Sequence, residues 1–402
     1  MILSLLGCDP YAAWPDPLTV YPYVYTEETD LQDYERVRWE TETWDPATDT
    51  EEVGLYLQKA LLHRPGAPVE SLQHFASMNA ALPPLTGPPD LSFAGDVMWV
   101  GENWSTFATP AAGLLDGAWR QGNLETPVSA AHSTEPAELG LYRYNAPESM
   151  LDALPFDGLQ LNNNHSLDVD DAGLEATIAA VAASGYTGTG VDTHAVVDVD
   201  GRTVTLLSYT WGVNRRDITS AHELFIVPFG HPEPPSMSAI AADIAAAEGT
   251  VVVLLHWGFE YEYYPDPVFM QQARAMVAAG ADVVVGSGPH VAQPAELCLV
   301  NEPGVVPGVG TCSLRDASGE PRQAAIFYSL GNFGTTMPTL PCQAGIVGSV
   351  RLGDTLELGW AGAITLQDGD LSVWPLDDVL DDSERRDEAE RLEAHLGAGW
   401  KR

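Results

Sequence analysis

Between residues 251 and 293 the chain reads as a buried strand, a crossover helix and a second buried strand, and no other stretch limits the fold as much. Val251 to Leu255 is an apolar run too short for a solitary helix and suited to a parallel strand covered on both faces. It delivers His256 at its C-terminal end. Pro267 opens a periodic segment that runs to Ala279, Gly280 follows as a stop, and Ala281 to Val285 form the next buried strand, which leads to His290. Such a unit is right-handed, so both histidines emerge on the same sheet edge, where open α/β folds place their ligands. Two imidazoles converging there point to a metal or acid/base site.

A chain of 402 residues, 45% of them hydrophobic, can bury a large core, so one main domain with extensions is expected. The formal net charge is -39 and the only lysines are Lys59 and Lys401, a surface that repels phosphate and argues against nucleic acid. An anionic substrate would need a local arginine cluster or a metal cation to overcome that field. No apolar run reaches the length of a membrane-spanning helix. The opening MILSLLGC resembles the end of a bacterial lipoprotein signal, with Cys8 as the residue that would take the lipid and hold the chain at the membrane of the cell envelope; the alternative is an ordinary N-terminal strand. Cys298, Cys312 and Cys342 can supply one disulfide and leave an odd thiol.

Along the chain, residues 1–8 form the candidate signal remnant and 9–85 an acidic N-terminal extension, within which short helices are expected over Glu51 to Leu62 and Val69 to Ala81. The main domain is placed at 86–345, and strands plus a charged helix, Ser383 to Leu396, complete it over 346–402. LSFAGD is a strand that delivers Asp96, GNLETP offers Asn123 and Glu125, and Gly158 to Leu161 is a short strand before the polar loop Asn162 to Asp168. A helix over Asp170 to Ala183 comes next. A hairpin turns at Asp200-Gly201, a helix covers Ser236 to Ala247, and Ala325 to Leu330 is a strand ending in GNF. Arg274 on the crossover helix is expected to face solvent, and His132, His194 and His222 to be surface or loop residues. Arg215 and Arg216 either meet an anionic substrate or form a solvated turn, and Trp257 either packs or stacks on substrate.

Strand ends therefore collect Asp96, Glu125, Asn164, His165, His256 and His290. Carboxylate, amide oxygen and imidazole together suit one or two divalent ions of the manganese, zinc or iron kind better than calcium. Such ions activate water and clamp a developing anion.

The motifs GDVM, GNLE, NNHSLD, HWGFEY, GADVVVGSGPHVAQ and YSLGNF, in that order, resemble the motif set of the poly-γ-glutamate capsule-synthesis proteins of the CapA type, a family similar to the calcineurin-like metallophosphatases. The resemblance covers residues 91 to 335. It implies a four-layer α/β sandwich with a mixed β-sheet core and a dinuclear centre. By position in the motifs, Asp96 and His290 would hold one ion, Asn164 and His256 the other, and Glu125 would bridge. His165 would be the acid, oriented by Asp168, and Asn123, Glu260, Tyr261 and Asn332 would line the site for substrate. The chain departs from the family at Gly288-Pro289-His290, where His-Pro-His is usual. The expected function is a metal-dependent, hydrolase-like role in making, exporting or anchoring an anionic polymer beside its membrane synthase. The alternative is a non-catalytic polymer-binding or assembly factor on the same fold.

Overall fold

The computed structural model describes residues 69–98, 107–140, 142–215, 217–227, 229, 237–367 and 371–402. The signal remnant with Cys8, the acidic arm, the helix expected over Glu51 to Leu62, and Arg216 lie outside the described residues.

Two mixed sheets make the frame. The first holds β1 (Leu91–Val97), β2 (Trp119–Leu124), β3 (Gly158–Gln160), β4 (Thr187–Thr189), β12 (Asn332–Gly334), β13 (Ala344–Arg351), β14 (Glu357–Leu366) and β15 (Ser372–Pro375). They run in the order β15-β14-β13-β1-β2-β3-β4, with β12 pairing on β1. The second holds β5 (Ala195–Val199), β6 (Arg202–Thr210), β7 (Thr250–His256), β8 (Val283–Ser287), β9 (Ala295–Val300), β10 (Cys312–Leu314) and β11 (Arg322–Phe327), ordered β10-β9-β11-β8-β7-β6-β5. Helix α1 (Val69–Ala81) packs on β9, α2 (Asp171–Ala183) on β4, α3 (Ser238–Ala246) on α4 (Pro267–Ala279), and α4 on β8 and β9. With β1 of one sheet against β8 of the other, helices outside and sheets inside give the four-layer α/β sandwich.

The crossover unit is built as its residues require. Asp266 accepts from the Val268 N–H, Pro267 takes the first helical position, and Gly280 ends α4 at φ 126°. The Asp200-Gly201 hairpin has both residues at positive φ, 51° and 82°, as its two-residue turn demands. Helix α5 (Ser383–Leu396) starts on an Asp382 cap and stops at Gly397.

Four placements differ from the sequence reading. The strand expected over Ala281 to Val285 is displaced to Val283–Ser287, with Asp282 at its base exchanging hydrogen bonds with Val251, whose N–H its side chain accepts and whose carbonyl its own N–H reaches. GNF does not merely end β11: Gly331 turns the chain, and β12 crosses to the first sheet, Asn332 lying opposite Asp96. Helix α1 falls in the stretch read as an extension, yet Phe75, Met78 and the following Leu82 belong to the main core. Arg274 is buried, because its guanidinium finds Glu296 on β9 rather than water.

Cys298 and Cys312, opposite each other on β9 and β10, form the disulfide, while Cys342 stays a buried thiol outside it, and that burial pushes the thiol up to about 12. For a separation of 14 residues, reduction should lower stability by about 3 kcal/mol. Thermal melts with and without reductant check this, with a Cys298→Ser/Cys312→Ser variant as the reference that must not respond.

Candidate metal centre

The site sits where the C-terminal ends of the parallel strands in both sheets meet. On β1 the register against β2 shifts between Phe93 and Asp96, and this irregularity turns Asp96 toward the second sheet. Gly95 is needed just before it, since a Cβ there would lie 1.8 Å from the Gly331 carbonyl oxygen. In the first sheet Asp96 stands opposite Asn123 on β2 and Asn332 on β12. In the second, His256 closes β7 opposite Ser287 on β8. Glu125 follows β2 directly.

Asn123 ties the two sheets together, its Nδ2 lying 2.7 Å from Asp96 Oδ1, 3.1 Å from His256 Nδ1 and 3.1 Å from Ser287 Oγ. The Gly288 N–H donates to Asp96 Oδ2 at 3.1 Å, and His290 Nδ1 is 3.4 Å from the same oxygen. Around Glu125 stand His256 Nε2 at 3.5 Å, His290 Nδ1 at 3.8 Å and His165 Nε2 at 3.9 Å. His165 Nδ1 donates to Asp168 Oδ2 at 2.7 Å, which also accepts from the Tyr144 N–H at 2.8 Å. The Tyr144 ring lies over His165 at 4.7 Å.

The loop that carries Asn164, His165 and Asp168 is held by its own side chains. Asn163 spans from Leu124 O to the His165 N–H, and Ser166 Oγ donates back to Leu161 O. From outside, the Asn214 N–H donates to Asn164 O at 2.7 Å and Arg215 Nη1 to Asp168 O at 3.3 Å. Arg215 also grips Asp217, so it buttresses this loop. Trp257 packs, its indole N–H on Tyr328 O. His132 and His222 pair with Asp170 and Asp192, and half-buried His194 stacks on Phe225.

Charge is strongly biased in this water-poor space. Burial pushes Asp96 up, but the His290 hydrogen bond and the charges of His256 and His290 win and hold it below the usual carboxylate range. Burial, then the charge of Asp96, drives Glu125 well above that range. Burial takes His256 down to about 3. It works the same way on His290, where Glu125 and Asp96 overcome it and carry the imidazole up to about 10.

Both Glu125 carboxylate oxygens and Asn164 Oδ1 are buried without a hydrogen-bond partner among the described residues, as is one oxygen of Glu260, which also acts electrostatically on Glu125 and His290. Buried acceptors are normally paired, and bare ones gathered beside imidazole are what a cation requires. Asp96, Glu125 and His256 offer ligand atoms all within 4.8 Å of one another. This donor set fits a divalent ion. A second group of that compactness, Glu296, Cys298 and Cys312, does not, because its sulfurs are bonded together and Arg274 holds its carboxylate. Tyr261 lies beside His290, ring centres 6.2 Å apart, and Asn332 Oδ1 is 2.9 Å from His290 Nδ1. Sequence reasoning missed Ser287 and Tyr144: a lone serine or tyrosine carries no signal until register or loop packing brings it to a histidine.

The sequence signature of the bacterial capsule synthesis protein PGA_cap matches residues 90–336, more than half of the chain. The chain belongs to the PGA_cap family. Among relatives of this kind, the PGA biosynthesis protein CapA of Bacillus subtilis is 28% identical over 223 residues, 53% of this chain and 52% of that protein. The capsule biosynthesis protein CapA of Bacillus anthracis is 29% identical over 233 residues, covering 55% and 51%. A probable polyglutamine synthesis accessory protein of Mycobacterium tuberculosis is 28% identical over 199 residues, covering 44% and 50%. The chain thus spans about half the length of the curated relatives it matches. The PGA_cap match runs from just before β1 to just past β12, so the strands that carry the centre fall inside it.

Proposed function

We propose that this chain serves the synthesis, export or anchoring of an anionic polymer of the poly-γ-glutamate type at the cell envelope, through a metal-dependent, hydrolase-like centre. The observation that carries the reading is Glu125, a fully buried carboxylate with no hydrogen bond to either oxygen among the described residues, ringed by three imidazoles. Asp96, Glu125, Asn164, His256 and His290 are the residues that would hold one or two divalent ions. When bound, such an ion supplies positive charge for a developing anion and acidifies water. His165, fixed at Nδ1 by Asp168, presents Nε2 toward Glu125 and gives its proton to the leaving atom.

Relatives named for PGA and capsule biosynthesis support the polymer class, and a cation gives a chain of net charge -39 the local attraction an anionic substrate needs. The Cys298–Cys312 disulfide suits an oxidising compartment outside the cytoplasm. A lipid on Cys8 and contact with a membrane synthase complete the reading. Gly288 favours a second one, a non-catalytic polymer-binding or assembly factor, because it replaces an imidazole with a bare backbone N–H.

Metal analysis of protein purified without chelator, followed by a screen of phosphoester and γ-glutamyl amide substrates, tests the first reading. At least one ion per chain should appear and vanish in His256→Ala, and His165→Ala should slow any turnover by about 10²–10⁴-fold. Protein that takes up no ion under any loading condition refutes the enzyme reading and leaves the second.

A further inference from the structure

We infer that Arg143 binds a free carboxylate of an anionic polymer at the mouth of the centre, on the side where His165 stands. The inference rests on the function proposed above and adds to it the group of the polymer that is read.

The segment that covers His165 carries Arg143 to this place. Tyr142 bends the chain at φ 57°, and Tyr144 gives its N–H to Asp168 Oδ2 at 2.8 Å and lays its ring 4.7 Å from that of His165. Arg143 stands between the two tyrosines, half-buried, its N–H on Gly140 O at 3.3 Å. Its side chain folds back over Gly140, which sits at φ 105°: a Cβ there would lie 3.8 Å from Arg143 Cδ and 4.0 Å from its Nε and Nη1. Across the loop of His165, Arg215 Nη1 donates to Asp168 O at 3.3 Å, while Nε and Nη2 clamp Asp217 at 2.8 Å each. Asp217 also feels the charge of Arg143, so two guanidinium groups flank the loop of the acid.

Only one of the two is paired. Among the described residues the Arg143 side chain has no ion pair and no hydrogen bond, and Asp217, the carboxylate that feels it, is already held by Arg215. In a chain of net charge -39 an unclaimed cation stands out: Arg120, Arg322 and Arg351 are bound to carboxylates, and Arg202, Arg315 and Arg386 to backbone carbonyls. A guanidinium has five donors and no acceptor, set in a fork that matches a carboxylate. Glu260 brings the opposite sign to the mouth, with one buried oxygen lacking a partner among the described residues and a charge that acts on Tyr142 and Tyr144. A polycarboxylate is therefore repelled by Glu260 and drawn to Arg143. In a γ-linked glutamate chain every residue carries a free carboxylate on the carbon beside its amide nitrogen. Whichever amide lies at the centre, a carboxylate stands next to it for Arg143 to bind.

Calorimetric titration of the full chain, in excess Mn²⁺, with a synthetic γ-linked glutamate octamer and with the same octamer methyl-esterified at its carboxylates tests this. The acid octamer should bind more tightly than the ester by about 10-fold or more, and Arg143→Ala should lose about 10–100-fold for the acid form, as for a hydrogen bond between charged groups. Arg143→Lys keeps the charge without the fork and should recover part of that loss. Arg351→Ala, beside the start of β1 and so at the far end from Asp96, removes the same charge from the surface and should change binding by less than about 2-fold. Metal content and melting temperature should not move in Arg143→Ala, because its side chain holds neither ion nor core. An acid octamer bound no better than the ester, a comparison that needs no variant to fold, overturns the inference and leaves the proposed function standing. So does an Arg143→Ala loss no larger than that of Arg351→Ala. A wild type that binds neither octamer overturns the polymer reading as well.

Discussion

Glu125→Gln should separate folding from metal binding, stabilising the metal-free protein while abolishing its response to metal. In the wild type the Glu125 carboxylate is fully buried and makes no hydrogen bond among the described residues, a condition whose cost for a neutral group is about 1–3 kcal/mol and more for a charged one. Glutamine keeps the shape and removes the charge next to Asp96. Calorimetry in chelator should therefore show the variant melting at or above the wild type. Adding Mn²⁺ or Zn²⁺ at a hundredfold excess over Kd should raise the wild type by about 2.7 kcal/mol and leave the variant unmoved. A wild type that does not respond, or a variant that responds equally, would show that the bare oxygens of Glu125 serve no cation.

The residues that could be read in the sequence were those whose placement is local. Val69–Ala81, Pro267–Ala279 and Ser383–Leu396 form helices over the expected ranges, and the last two carry their boundaries in Asp266 with Gly280 and Asp382 with Gly397. Asp96, Glu125, His256 and His290 stood at expected strand ends, so their convergence followed once parallel strands aligned. What depends on the partition between two sheets was not legible. The run from Ala325 through GNF reads as one continuous strand, and nothing in its period says that Gly331 sends Asn332 to the opposite sheet. That crossing puts Asn332 Oδ1 2.9 Å from His290 Nδ1. Arg274 misled for a related reason: a charged residue on an amphipathic helix reads as solvent-facing unless its partner, 22 residues away on β9, is known.

Glu296→Gln should cost about 3–5 kcal/mol, the penalty of leaving a buried guanidinium without its counter-charge. Glu296 is fully buried, receives Nε and Nη2 of Arg274, and also accepts from His74 Nε2 at 2.6 Å and Tyr328 Oη at 3.0 Å. His74 is oriented for this by the Gly310 N–H on its Nδ1. One carboxylate thereby joins α1, α4 and the residue just after β11 to β9, and α4 is the crossover between the strands that end near His256 and His290. Burial pushes Glu296 up, and the Arg274 charge with the His74 hydrogen bond overcomes it and holds the acid well below its ordinary value. A depressed folded value means that this stabilisation is present above the unfolded pKa of about 4.3 and fades as pH falls through the folded one. Wild-type melting temperature should therefore drop on acidification below that point by more than the Glu296→Gln variant's does. Replacing both partners, Arg274→Met with Glu296→Leu, should recover part of the loss, since no guanidinium then remains stranded. Equal melting of Glu296→Gln and wild type at neutral pH would mean that α4 is anchored by its apolar face alone, and that the geometry of the candidate metal centre does not depend on this buried pair.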